Sequence, residues 1–353
     1  MENEVRAMRF DIDMQYLLES FRRIVNTPSP VGFYALLNPV LEKMAEELGY
    51  SITRDRRGDP YIILEGMDNS KTVMIGAHAD TVGMVVRRID SDGKLQIRAL
   101  GGANFNSMEG SSVTVHTRDG RCYTGLLACQ SHSTHVFADS RTMERSDENM
   151  MVILDENVHS KAEVNELGIR NGDFIAADPQ CEVTDNGYLK SRYIDDKAAV
   201  ACCFTLLKYL KEHGIKPQYR TILAFPYSEE TGAGGAYVPE EVWEYVALDI
   251  GLVGPDCDGD EYSVSICAKD VRGPYDYDLT NRLINLAEKA ECKYAVDVFY
   301  RYSTDANAAV YAGNNLRAAA FGMAVYCSHG RERTHIEGLE NTMKLLLAYV
   351  LDI

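Results

Sequence analysis

At 353 residues, with 46% apolar and 25% charged side chains, the chain has the balance of a soluble globular protein and exceeds one small core, so a catalytic domain with an accessory one is expected. Its 36 basic and 53 acidic residues leave a net charge of −17, a field that repels phosphate backbones and anionic bilayers and excludes nucleic acid and membrane as partners. Met1-Glu-Asn-Glu-Val-Arg6 lacks a secretory pattern and nine cysteines show no CxxC spacing, so free thiols and a cytoplasmic location are expected.

Helical periodicity runs over Asp13 to Arg23 and Gly32 to Leu48, the second segment closing at Gly49. Tyr61 to Glu65 and Thr72 to Ala77 read as two strands joined by the turn-rich segment Gly66 to Ser70, an antiparallel pair. Beyond Gly83 the texture changes to short β runs punctuated by Asp92-Gly93, Gly101-Gly102 and Asp119-Gly120: Val85 to Ile89, Leu95 to Leu100, Ser112 to Thr117 and Cys122 to Leu127. This pattern predicts a small β-barrel or sandwich over residues 85–165, inserted into an α/β domain made of 1–84 and 166–353. Thr134 to Asn149 reads as a polar loop within it.

The α/β pattern then resumes. A helix is expected over Asp195 to Leu210, a doubly buried strand over Thr221 to Phe225, a short helix over Pro239 to Glu244 and a strand from Tyr245 into Asp249. Helices at Asp278 to Cys292 and Asn307 to Ala312, a strand at Leu316 to Val325 and a last helix at Glu337 to Leu351 complete the prediction.

Metal-type residues gather at the ends of these elements. Phe225-Pro-Tyr-Ser-Glu229-Glu230-Thr-Gly232 carries an apolar strand into two adjacent carboxylates. These repel one another unless a cation or a proton-transfer task occupies them; a solvated acidic strand end is the competing reading. His78-Ala-Asp80 pairs an imidazole with a carboxylate able to orient it, although a satisfied strand-end histidine has the same signature. Asp195-Asp196-Lys197 could bridge two cations or serve only as an acidic first helical turn. Asp249 ends a buried strand, and Ser328-His329-Gly-Arg331-Glu-Arg333-Thr-His335 offers two histidines between which spacing does not choose. His116, His132, His135, His159 and His213 read as structural or surface residues. With no GxSxG, GxxxxGK[ST] or HExxH motif, metal-assisted hydrolysis is the chemistry left.

The segments around His78-Ala-Asp80-Thr-Val-Gly83, Leu167-Gly-Ile-Arg-Asn-Gly-Asp173, Asp195-Asp196-Lys197, Glu229-Glu230-Thr-Gly232, Ala247-Leu-Asp249 and Ser303-Thr-Asp305, in this order, resemble the tetrahedral, glutamyl-aminopeptidase-like family of cocatalytic metallopeptidases, some of whose members are labelled endoglucanases. The resemblance implies a mixed sheet flanked by helices, an inserted β-barrel used in assembly, and a homo-oligomer that in many members is a tetrahedral dodecamer. It implies two divalent ions, Zn²⁺ or Co²⁺, bridged by Asp195, with His78 and Asp249 on one and Glu230 and a C-terminal histidine on the other. Counted along the final strand, that histidine falls on His329, with His335 as the alternative. Glu229 becomes the general base and Asp80 the group that orients His78. Thr81 and the segment Gly330 to His335 depart from the family pattern, near where substrate would bind.

The function expected is an aminopeptidase acting on short peptides, with Arg272 and Arg301 in loops able to hold an acidic side chain or a terminal carboxylate. Two alternatives stand beside it: a two-metal amidase acting on N-acyl or modified dipeptide substrates, and a non-catalytic assembly protein.

Overall fold

The computed structural model describes residues 10–353; the opening segment Met1 to Arg6 lies outside them. A ten-stranded sheet forms the main body, ordered along its path Thr53–Arg54, Pro60–Leu64, Tyr219–Ala224, Asp68–Gly76, Val242–Leu248, Arg317–Val325, Val264–Asp270 and Gly273–Pro274. Its four central strands, Tyr219–Ala224, Asp68–Gly76, Val242–Leu248 and Arg317–Val325, run parallel, and antiparallel neighbours flank them. Val73, Met74, Ile75, Tyr245, Val246 and Leu248 are almost inaccessible, as residues covered on both faces must be.

The expected pairing of the first two long strands is corrected here. Tyr219–Ala224 lies between Pro60–Leu64 and Asp68–Gly76, antiparallel to the former and parallel to the latter. Its uninterrupted apolar run contributes burial to both neighbours, a gain that a hairpin at the sheet rim would forgo. Pro239 to Glu244 is also corrected: a turn ends there, and the strand Val242–Leu248 begins at once. The cross-sheet ladder to Thr72 and Val73 overrides the local helical pattern.

Helix Ile194–His213 is buried along almost its whole length and ends at Gly214, whose φ of +63° supplies the left-handed cap. It packs against Met14–Val25 on one side and Ile336–Leu351 on the other, which explains why its sequence is apolar all round rather than striped.

The accessory unit is a closed, all-antiparallel six-stranded barrel, Gly83–Ile89, Leu95–Leu100, Met150–Leu154, Cys122–Cys129, Ser112–His116 and Phe174–Ala177 in order around the wall. Met84, Val86, Leu95, Ile97, Val113, Val115, Leu127, Val152 and Ile175 fill it, the inward members of alternating strands. The closing strand, Phe174–Ala177, lies beyond residue 165, after the short helix Lys161–Glu166. Residues 134–149 form turns and bends, and all nine cysteines are unpaired. A three-stranded sheet, Glu182–Val183, Tyr188–Ser191 and Glu332–His335, ties the C-terminal segment to the chain that enters helix Ile194–His213.

Candidate active site

Parallel neighbours end on the same side of a sheet, so the residues just beyond their C-terminal ends must meet there. His78 and Asp80 come after Asp68–Gly76, Glu229 and Glu230 after Tyr219–Ala224, and Asp249 after Val242–Leu248. Asp195 enters from the start of helix Ile194–His213 and His329 from the loop after Arg317–Val325. Asp195, Glu229, Glu230, Asp249 and His329 line one cavity of about 680 Å³, with Arg272 and Arg301 also on its wall.

Two imidazoles flank one carboxylate. His78 Nε2 is 2.9 Å from Asp195 Oδ1, and His329 Nε2 is 3.4 Å from Asp195 Oδ2 and 3.3 Å from Glu230 Oε2. In both rings Nδ1–H donates to a backbone carbonyl, Asp80 O at 3.0 Å and Gly102 O at 2.9 Å. That hydrogen bond fixes the tautomer and turns Nε2 inward. Asn104 N–H adds a bond to His329 O at 3.2 Å, so residues just past a barrel strand hold this histidine. The ligand-type atoms of His78, Asp195 and Glu230 lie within 4.8 Å of one another, as do those of His78, Asp196 and Asp249.

Asp80 makes a second set of contacts that its position in the sequence does not reveal. Its carboxylate accepts the backbone N–H groups of Glu229 at 3.1 Å and Glu230 at 3.2 Å, while Oδ1 is 3.6 Å from His78 Nδ1. His335 stands apart from the cluster. Its Nε2–H donates to Asn186 O at 2.8 Å, and its Nδ1 caps the last helix by accepting from Glu337 N–H at 3.1 Å.

Glu332, fully buried, is a further residue of the site that the sequence does not reveal. Its Oε2 accepts from Asp195 N–H and its Oε1 from His329 N–H, each at 3.0 Å. The only sequence signal is a lone acid in Arg331-Glu-Arg333, which reads as a solvated charge.

Burial pushes the carboxyl of Glu230 up to about 8 and that of Asp249 to about 7, with Asp195 adding repulsion in each case. Glu229 and Asp196 are raised for the same first reason, loss of solvent. Burial lowers His78 and His329, but hydrogen bonds to Asp195 outweigh it and hold both imidazoles well above the ordinary value, His329 at about 10. Asp196 Oδ1 and Asp305 Oδ2 are buried with no hydrogen-bond partner. Such a surplus of desolvated negative charge, with orphaned oxygens and two oriented imidazoles, fits divalent cations. The donor set of nitrogen and oxygen atoms suits Zn²⁺ or a neighbour in the transition series.

The sequence model of M42 glutamyl aminopeptidases matches residues 58–345. The chain is 40% identical over 335 residues to YhfE of Bacillus subtilis, provisionally named an aminopeptidase, covering 94% of this chain and 96% of that one. Among solved structures, a TET aminopeptidase from a Thaumarchaeota archaeon of marine sediment superposes with a TM-score of 0.85 at 19% identity, covering 96% and 97% of the two chains. The Pyrococcus horikoshii TET1 peptidase, described as assembling into a tetrahedron or a large octahedral shell, gives a TM-score of 0.83 at 22% identity, covering 96% and 100%. With the family match spanning most of its length, the chain belongs to the M42 glutamyl aminopeptidases, a hydrolase family of metal-dependent aminopeptidases.

Proposed function

We propose that the protein is a dinuclear aminopeptidase that releases N-terminal residues from short peptides. The observation that carries this reading is Asp195, which offers one oxygen to each of two imidazoles. Asp195 would bridge the cations, Zn²⁺ or Co²⁺, with His78 and Asp249 holding one and Glu230 and His329 the other. Bound there, the pair would acidify an attacking water and polarise the scissile carbonyl.

The chain's own part is proton handling and positioning. Glu229 Oε2 lies 3.8 Å from His78 Nε2, in the cavity wall but outside both close ligand groups. It takes the proton of the attacking water and passes it to the leaving amine. Asp80 fixes the acidic pair through their N–H groups and His78 through its carbonyl.

Arg272 and Arg301 supply substrate recognition. Arg272 Nε–H donates to Ser303 Oγ at 2.8 Å, and its guanidinium lies over the Tyr311 ring. Neither arginine forms an ion pair among the described residues, which leaves both forks available to an acidic side chain or terminal carboxylate.

The barrel serves assembly into a homo-oligomer, a reading supported by the shells described for the Pyrococcus horikoshii relative. No described helix is long and apolar enough to cross a membrane.

The test combines metal analysis with a panel of aminoacyl substrates carrying free or acetylated N-termini. Two divalent ions per chain and cleavage of free termini alone are expected, with chelation abolishing turnover. Equal cleavage of acetylated substrates would replace the aminopeptidase with an amidase.

A further inference from the structure

Two carboxylates near the cavity are spent on backbone rather than on the cavity itself. Asp80 grips Glu229 and Glu230, which are adjacent in sequence. Glu332 grips Asp195 and His329, which are not: one begins a helix and the other lies beyond a strand on a different part of the chain. A single side chain thus sets the spacing between two elements that nothing in the local sequence connects.

Glu332 itself is well fixed. It opens strand Glu332–His335, opposite Ser191 in the register, and Ser191 lies four residues before Asp195. Reciprocal backbone hydrogen bonds between Tyr326 and Arg333 close the loop that carries His329. Within that loop His329 has φ of +61°, a left-handed conformation that non-glycine residues keep only where the surroundings hold it. The bond from its N–H to Glu332 and the bond from Asn104 N–H to its carbonyl oxygen are those surroundings.

The choice of a carboxylate is informative. Both partners are N–H donors, so the site needs two acceptors at one place. A glutamine would present one oxygen and one NH₂, leaving a backbone donor facing a donor. Burying an acid without a salt bridge among the described residues is unfavourable, and a residue serving only as packing at the start of a strand would not need two acceptor oxygens.

We infer that Glu332 is a positioning residue for the metal centre: it sets the separation of Asp195 and His329, and so the affinity of the site for its ions, through their backbone rather than by touching ion or substrate. This rests on the two-metal reading above. The effect of losing a group that orients ligands is typically tenfold to a hundredfold in metal affinity.

The test is Co²⁺ titration of the metal-free full-length protein, read by visible absorbance and by competition with a chelator, in the wild type, Glu332→Gln and Glu261→Gln. Glu261 pairs with Arg333 of that strand, 2.6 Å from Nε, and does not line the cavity, so it controls for loosening of the strand. Expected is a tenfold to hundredfold rise in the Co²⁺ dissociation constant and an altered absorption band for Glu332→Gln, with the wild-type values kept by Glu261→Gln. If Glu332→Gln does not fold, Glu332→Asp is read in its place: the shortened carboxylate keeps the charge but cannot span both N–H groups. Wild-type affinity in the folded Glu332 variant, or an equal loss in Glu261→Gln, overturns the inference while leaving the two-metal reading intact. Failure of the wild type to bind Co²⁺ overturns that reading, and the inference with it.

Discussion

The two walls of the cavity are built by different means. On the sheet side His78, Glu229, Glu230 and Asp249 each come after one of three adjacent parallel strands whose packing leaves little freedom. On the barrel side His329 sits in a loop with left-handed backbone and is fixed by hydrogen bonds with Gly102, Asn104 and Glu332. Packing distributes a perturbation over many contacts, whereas a few directed bonds concentrate it. A change in the sheet wall away from the chemistry itself should therefore register in the stability of the fold, and a change in the barrel wall in the geometry of the site.

The sharpest way to break this contrast is within the sheet wall. Glu229→Gln should leave fold and metal content unchanged but lower kcat by about 10²–10⁴-fold, the usual range for a general acid–base group; metal analysis beside steady-state kinetics checks it, and near-normal turnover removes Glu229 from its role. Next comes Asp59, which accepts Tyr227 N–H at 3.1 Å beneath the same strand end. Burial first, then Asp55, pushes its carboxyl up to about 6 from an ordinary 3.8. The folded chain thus binds this proton more tightly than the unfolded one, so stability declines as pH rises from about 4 to 6 and the cost is complete above that. Asp59→Asn should raise neutral-pH stability by at most about 3 kcal/mol, with no gain below pH 4; denaturant midpoints at the two pH values decide it.

A smaller effect tests the sheet wall's packing. Gly322 lies against Asp249, where an added Cβ would collide with its carbonyl oxygen. Gly322→Ala should destabilise the fold by about 1–3 kcal/mol, as overpacking does, visible as a lower Tm. The barrel wall gives the opposite signature. At Gly102 a Cβ would come within 2.9 Å of His329 Nδ1, and Gly102→Ala should weaken metal binding about tenfold with little change in Tm. If instead Gly102→Ala lowers Tm and spares the metal, the two walls are not built as differently as described.

Much of the architecture was legible because buried parallel strands have a plain signature: continuous apolar runs that lead into chemistry-bearing residues. That rule brought Glu229, Asp249 and His78 to one end of the sheet. The hidden part depends on the third dimension. Nothing in Thr221 to Phe225 says which strands it will separate, and Val242–Leu248 was partly obscured by a helical texture at Pro239 to Glu244. Glu332 was hidden for a related reason, since an acid between two arginines looks solvated until the fold places Asp195 and His329 N–H above it. His329 and His335 could not be separated by spacing, and the tertiary setting of each ring is what distinguishes them.

The contact between Gly102 and His329 bears on how far the molecule can be treated as modular. Barrel inserts invite excision or grafting, on the assumption that the catalytic body is self-sufficient. Here the exit from a barrel strand supplies the acceptor that orients one imidazole. A version trimmed of the insert would have to rebuild that acceptor, and an exchanged barrel must carry a carbonyl to the same point in space.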